Sequence, residues 1–401
     1  MKIYLVGGAV RDKQLGLEPK ERDWVVVGST PDKMLAMGYQ QVGKDFPVFL
    51  HPQTHEEYAL ARTERKTAPG YTGFEFHANE NVTLEEDLCR RDLTINAMAE
   101  DSDGMLIDPY HGLDDLNAGL LKHISPAFSE DPVRILRIAR FAARFSQWGF
   151  RVAHSTHKLM RKMVENGEVD ALIPERVWAE TEKALTTSQP WRFFEVLHSC
   201  DALDRIFPEI ANEFSNHSTG HQANNSPIAI MDCLKQACVL TADKTIRFAA
   251  MTALINESIQ SVTSKNTDAE KTVQLIQSLC KRLRIPNEYR DLAVITARHF
   301  TKVISVDSFT PHQLLQILLD TDAFRRAERF AGFLLACEAI YKHQSTDESD
   351  EFSAGKTLME ALQVCQQVDT KDLQDSGLSG QQFASALSQL RVEALGAIAQ
   401  E

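Results

Sequence analysis

Apolar residues in this chain come as short runs near the amino terminus and in helical spacing over the rest. Ile3 to Val6 is an apolar run closed by Gly7-Gly8, which predicts a buried strand, a tight turn and a helix over Ala9 to Leu15. Trp24 to Val27 predicts a second strand, and Ser29-Thr30-Pro31 a helix start. Val48 to Leu50 and Tyr58 to Ala61 predict further strands, and Asn79 to Asn96 a loop leading into a helix. Arg65 to Asn81 carries Pro69, Gly70 and Gly73 among polar residues, the pattern of a mobile loop. From Pro132 onward the spacing is almost entirely helical, with helix starts at Thr156, Pro174-Glu175 and Ser188-Gln189-Pro190. Ser261 to Ala269 and Gln344 to Glu351 are polar breaks within it. The pattern is that of an α/β head on an α-helical body.

Composition narrows the setting. A chain of 401 residues, 43% hydrophobic and 25% charged, has room for two or three cored domains. It has no apolar run long enough to span a bilayer, and Ile3 to Val6 is too short for a signal peptide, so a cytoplasmic address is expected. Seven scattered cysteines without a Cys-x-x-Cys pair support neither a disulfide framework nor a zinc site. A net charge of -13 excludes a uniformly basic coat but not a local stripe. Such a stripe exists: Arg134, Arg137, Arg140, Arg144, Arg151, Lys158, Arg161 and Lys162 follow one another with no Asp or Glu between them. Lacking acidic partners in its own run, the stripe is expected to seek phosphates.

Gly7-Gly8, between a strand and a helix, lets backbone N–H groups approach a phosphate, and Arg11 one turn on adds charge. Glu21 and Asp23 stand two apart at the start of the second strand, so both carboxylates face one side. Such a pair suits Mg²⁺, which takes its remaining ligands from nucleotide phosphates and water. Glu57, on a neighbouring strand, is either a third carboxylate or a solvated surface residue. In Arg90-Arg91-Asp92-Leu93-Thr94-Ile95-Asn96-Ala97, helical spacing brings Asp92 near Asn96. The arginines can fork onto a triphosphate and Asp92 can hold a ribose hydroxyl, with Asn96 stitching the local backbone. Asp131-Pro132 reads as a helix N-cap followed by proline at the first helical position. Arg134, Arg137, Arg140 and Arg144 then form a basic helix face opposite Ile135, Ile138, Ala139 and Ala142.

These motifs, in this order, resemble the class II tRNA nucleotidyltransferases, the bacterial CCA-adding enzymes of the polymerase-β-like superfamily. The resemblance spans roughly residues 1 to 194 and includes Pro174-Glu175-Arg176-Val177-Trp178 with Glu180. It implies an α+β chain, with a nucleotidyltransferase head over 1–140, a helical neck over 141–195 and a helical body and tail over 196–401. It also implies addition of C, C and A to the tRNA 3′ end from CTP and ATP with Mg²⁺, without a template. By family position Gly8, Arg11, Arg91 and Asp92 serve phosphate and ribose. Asp131 and Arg134 read the base, and Arg137 and Arg140 face the nucleotide. Cytosine and adenine both offer an amino donor beside a ring-nitrogen acceptor, so one carboxylate and one guanidinium can accept both.

The chain departs from the family pattern twice. Glu21 stands where the family has aspartate, and Glu21→Asp is expected to retain or raise nucleotide incorporation; a large loss would count against the alignment. Ala253-Leu254 occupies the place of the His-Asp metal dipeptide that close relatives carry in the body, so no phosphohydrolase activity is expected there. His221 and His299 are read as structural or exposed. The alternatives are an A-adding, CC-adding or poly(A)-forming relative, or a tRNA-binding homologue without chemistry.

Overall fold

The computed structural model describes residues 1–42, 48–66, 74–77, 79–218, 229–255, 267–345, 351–375 and 378–398. They form two compact units, Met1–Ile206 and Phe207–Glu401.

The first unit begins with β1 (Lys2–Val6), α1 (Gly8–Gln14), β2 (Asp23–Val27), α2 (Pro31–Ala36), β3 (Gln40–Val42), β4 (Val48–Leu50) and β5 (Glu57–Leu60). A hairpin of β6 (Thr63–Lys66) and β7 (Phe74–His77) follows. Residues 65–66 and 74–77 of the segment expected as loop between Arg65 and Asn81 are therefore strand, while 67–73 and 78 lie outside the described residues. Next come α3 (Leu84–Cys89), a 3₁₀ turn at Thr94–Asn96, β8 (Ala99–Glu100), β9 (Leu106–Ile107), α4 (Gly112–Asn117) and β10 (Leu120–Leu121). The main sheet runs β3-β4-β5-β2-β1-β8-β9. Its alternation is strict at β2: Val25 joins Val6, Leu88, Ala97 and Ala99 on one face, while Val26 joins Met34, Phe49 and Leu60 on the other.

The helical part of this unit comprises α5 (Val133–Arg144), β11 (Arg151–Val152), α6 (His154–Glu165), α7 (Pro174–Leu185), α8 (Trp191–Ser199) and α9 (Leu203–Ile206). The apolar face of α5 is buried as the spacing predicts, with Ile135, Ile138, Ala139 and Ala142 at 1% exposure or less. It packs on α7 and α8. Residue 140, the expected end of the head, lies inside α5.

The second unit comprises α10 (Pro208–Ser218), α11 (Ala229–Leu240), α12 (Lys244–Thr252), α13 (Thr267–Arg282), α14 (Asn287–Val303), α15 (Pro311–Asp320), α16 (Ala327–Gln344), α17 (Ser353–Gln367), α18 (Lys371–Asp375) and α19 (Gly380–Ile398). Its core includes Phe248, Tyr289, Phe330 and Phe333. Ala253 and Leu254 are buried apolar residues just beyond α12. His299 is buried on α14, and burial pushes its imidazole down to about 4, so it is neutral near pH 7. His221 lies outside the described residues. Among the described residues, no group of three or more His, Cys, Asp or Glu could hold a metal ion. Nor is any helix among them long and apolar enough to cross a membrane.

Candidate active site

Strand register assembles the acidic edge. In the antiparallel β1–β2 pair Val6 stands opposite Asp23, and in the parallel β2–β5 pair Asp23 stands beside Glu57. Paired residues of adjacent strands share a face, so Asp23 and Glu57 project together from the sheet end where β1 turns into Gly7-Gly8. Glu21 precedes the strand rather than belonging to it, a correction to its expected place on a strand edge. Its charge still reaches Asp23. Surrounding protein chiefly raises the Asp23 carboxyl above its ordinary value; Arg91 opposes this and Glu21 adds to it.

Gly7 is required by geometry. Its φ of +70° is a glycine conformation, and a Cβ there would sit 2.6 Å from Arg91 Nη1. The absence of a side chain lets Arg91 lie across the turn, so a guanidinium borders the glycines and faces Asp23. Asp87, fully buried on α3, anchors the arginine pair. Its Oδ1 accepts from Arg90 Nε and Nη2 at 3.0 and 2.9 Å, and its Oδ2 from Arg91 Nη2 at 3.4 Å. Burial alone would raise this carboxyl, but Arg90 and Arg91 outweigh it and hold it below the ordinary range. Sequence reasoning missed Asp87, although three- and four-residue spacing from the arginines was a usable signal.

Asp92 is also buried, at 6% exposure. Its Oδ1 accepts from the Leu93 N–H and from Asn96 Nδ2, both at 2.9 Å, and its Oδ2 from Arg137 Nε at 2.6 Å. Burial acts to raise its pKa, yet Arg137 and the Asn96 hydrogen bond drive it well below the ordinary carboxylate range. Asn96 stitches side chains rather than local backbone: its amide donates to Asp92 while its Oδ1 accepts from Arg11 Nη1.

Arg11, expected to add charge beside the phosphate turn, is a buried cation. It is 3% exposed, and its Nε and Nη2 donate to Asp12 Oδ1 at 2.9 and 2.7 Å. Its guanidinium lies 5.3 and 5.0 Å from the stacked rings of Phe141 and Phe145. Three α5 arginines approach the same pair of rings, Arg137 at 5.8 Å and Arg140 at 4.3 Å from Phe141 and Arg144 at 5.2 Å from Phe145.

Four of the eight cations of the basic stripe are paired, against expectation, by carboxylates that other elements bring to them. Arg137 meets Asp92, Arg140 meets Glu180 of α7 at 2.5 Å, Arg144 meets Asp12 at 2.9 Å, and Arg161 meets Asp201 at 2.7 Å. A charge run without acids inside it can still be neutralised through tertiary contacts, which spacing in one segment cannot show.

At the start of α5, Asp131 Oδ1 accepts the Val133 N–H at 3.0 Å, as a capping residue would. The same carboxylate receives Arg176 of α7, whose Nη2 lies 2.9 Å from Oδ2. Arg134 donates to the carbonyls of Ala127 and Arg90 at 3.0 and 2.7 Å, tying the helix to the Arg90–Asp92 segment. Asp131 and Arg134 are thus held one turn apart by separate anchors. Gly8 opens α1, with the first intrahelical bond running from the Arg11 N–H to Gly7 O.

A sheet edge with a carboxylate pair, a glycine turn crossed by an arginine and a helical extension lined with guanidinium groups define a nucleotidyltransferase head joined to an RNA-binding region. Residues 3–122 match the Poly A polymerase head domain, and residues 149–214 match the family described as "Probable RNA and SrmB- binding site of polymerase A". The chain is 54% identical to the Multifunctional CCA protein of Thioalkalivibrio sulfidiphilus, over 98% of both chains. It is 51% identical to that of Nitrosococcus oceani, again over 98% of both. The chain belongs to the multifunctional CCA protein family. Among solved structures it resembles a CCA-adding enzyme in an apo form, with TM-score 0.69 and 20% identity over 98% of this chain and 88% of that one. It also resembles the Thermotoga maritima CCA-adding enzyme complexed with tRNA, with TM-score 0.67 and 19% identity over 99% of this chain and 87% of that one. These two likenesses establish the fold. Nucleotidyl transfer in this family depends on a divalent cation in general terms.

Proposed function

We propose that this protein adds and repairs the 3′-terminal CCA of tRNA, using CTP and ATP and releasing pyrophosphate, in the cytoplasm. The observation that carries the reading is the register Val6–Asp23–Glu57, which brings the glycine turn and two carboxylates to one end of the sheet. Glu21 and Asp23 would hold Mg²⁺, with Glu57 completing the acidic edge. These are hard oxygen donors, and the mutual repulsion of Glu21 and Asp23 is the kind a cation relieves. Mg²⁺ would supply charge neutralisation at the reacting phosphate.

The chain's own residues account for binding and orientation. Gly8 and Arg91 receive the triphosphate, and Asp92 holds the ribose side through the geometry that Arg137 and Asn96 impose. Arg11 contributes its field from behind Gly8 rather than by contact. Asp131 and Arg134 read the Watson–Crick edge, accepting the amino group shared by cytosine and adenine and donating to the adjacent ring nitrogen. Arg137 and Arg140 line the nucleotide side of α5. The tRNA 3′-oxygen bonds to the α-phosphorus as the bond to the pyrophosphate oxygen breaks, and the hydroxyl proton is lost at the acidic edge.

The test is incorporation of labelled CTP and ATP into a tRNA transcript ending at the discriminator base, with products resolved to single nucleotides. Stepwise C, C, A with arrest after the third is the expected result. A partial set or a long A ladder would replace the reading with one of its relatives, and binding without extension in both Mg²⁺ and Mn²⁺ would refute catalysis.

A further inference from the structure

A second cationic site lies entirely within the helical unit. The carboxyl-terminal half of α13, the turn after it, the start of α14 and Arg329 of α16 enclose a cavity of about 700 Å³. Lys281, Arg284, Arg290 and Arg329 line it against one lining carboxylate, Asp291. That carboxylate is partly spent, since its Oδ1 accepts from Arg290 Nε at 3.1 Å and Nη2 at 2.8 Å. In a chain of net charge -13, four cations around one concavity are a local inversion of sign.

Three further observations point to an anion. Arg329 Nη2 donates to Thr321 O at 2.7 Å and lies 4.0 Å from Asp322 Oδ2, while its Nε has no hydrogen-bond partner among the described residues, so the guanidinium is only partly satisfied. Burial, and secondarily Arg326, push this guanidinium down from its ordinary value, a cost that a bound anion would offset. Helix α14, seventeen residues long, begins at the cavity with Asn287 and has no side-chain cap, so its positive end is open. Arg284 itself takes the left-handed backbone, φ 53°, that closes the carboxyl-terminal end of α13, where the Ile285 N–H donates to Cys280 O at 2.9 Å.

We propose that this cavity binds a phosphate group. No aromatic ring lines it, so it offers no platform for stacking a base; what it recognises is compact and multiply anionic. Phosphate could come from free inorganic pyrophosphate, which nucleotidyl transfer releases, or from the backbone of an RNA. The site stands on the cavity alone and does not depend on the assignment of the head.

The experiment is calorimetric titration of the full-length protein with inorganic pyrophosphate in EDTA, alongside tRNA filter binding across a salt series. The variants are Lys281→Gln/Arg329→Gln and, because Arg329 is partly buried, Lys281→Gln/Arg284→Asn, which alters exposed positions and places at 284 a residue tolerant of the left-handed backbone. If the ligand is pyrophosphate, each pair weakens its binding at least about tenfold, the scale of one lost charge-assisted hydrogen bond. If the ligand is RNA backbone, pyrophosphate is indifferent to the variants, tRNA affinity falls, and the salt slope flattens by about one for each phosphate no longer neutralised. Normal binding of both ligands by variants that melt with the parent overturns the proposal. So does a pyrophosphate signal that survives these variants and disappears only in Arg91→Gln, because that signal belongs to the head.

Discussion

Asp23→Asn lowers CMP incorporation by about three orders of magnitude while leaving the melting temperature equal to or slightly above that of the parent. The loss follows from removing a metal-holding carboxylate, a change costing several kcal/mol of transition-state stabilisation at 1.36 kcal/mol per tenfold. The stability result comes from the sign of the Asp23 shift. Its pKa is raised in the folded state, by surrounding protein and by Glu21, so the ionised carboxylate is held less well there than in the unfolded chain. Ionisation therefore costs stability above the folded pKa, and a neutral amide removes that cost. Activity of the parent should also fall as pH drops through this raised pKa, because protonation empties the metal-binding form. Single-turnover extension of a tRNA ending in its first C, with a thermal melt of the same sample, measures both effects. A variant with near-normal turnover would remove Asp23 from the reaction and the acidic edge from the mechanism.

Local structure was more legible in the sequence than the pairing of distant residues. Strand, turn and helix at Ile3 to Leu15 could be read because a short apolar run followed by two glycines has few other solutions, and the structure places β1 and α1 there. The apolar face of α5 was legible from its three- and four-residue spacing. What spacing could not carry was pairing across long separations. Asp12 with Arg144, Asp92 with Arg137 and Glu180 with Arg140 join residues 132, 45 and 40 positions apart. Four cations of a run expected to seek phosphates are thus already paired within the protein. Arg11 shows the same limit: its neighbours in sequence do not reveal the Phe141–Phe145 stack it lies against, which comes far along the chain. The register Asp23–Glu57 likewise needed the sheet order, since β3 and β4 intervene in sequence between strands adjacent in space.

That tertiary pairing makes Asp92 a stability position as well as a site residue. Asp92→Asn should destabilise the protein by about 3 kcal/mol at pH 7, the low end for breaking a buried ion pair. The low end applies because Asp92 is buried while the Arg137 side chain is 38% exposed and can be partly rehydrated. The amide keeps the shape but turns one acceptor into a donor, which faces either Arg137 Nε or Asn96 Nδ2, both donors already. The pH dependence has a definite direction. With the folded pKa of Asp92 depressed, the pair contributes fully above the unfolded value of about 3.9 and is lost as pH falls below it toward the folded pKa. Urea unfolding of parent and variant should therefore differ most near neutrality and converge in acid. Arg137→Met in the Asp92→Asn background should recover part of the loss, since it removes the cation left without its counter-ion. A gap unchanged between pH 7 and pH 3 would assign the destabilisation to packing rather than to the ion pair, and the link from α5 to the Arg90–Ala97 segment would then rest on Arg134 and its two carbonyl acceptors.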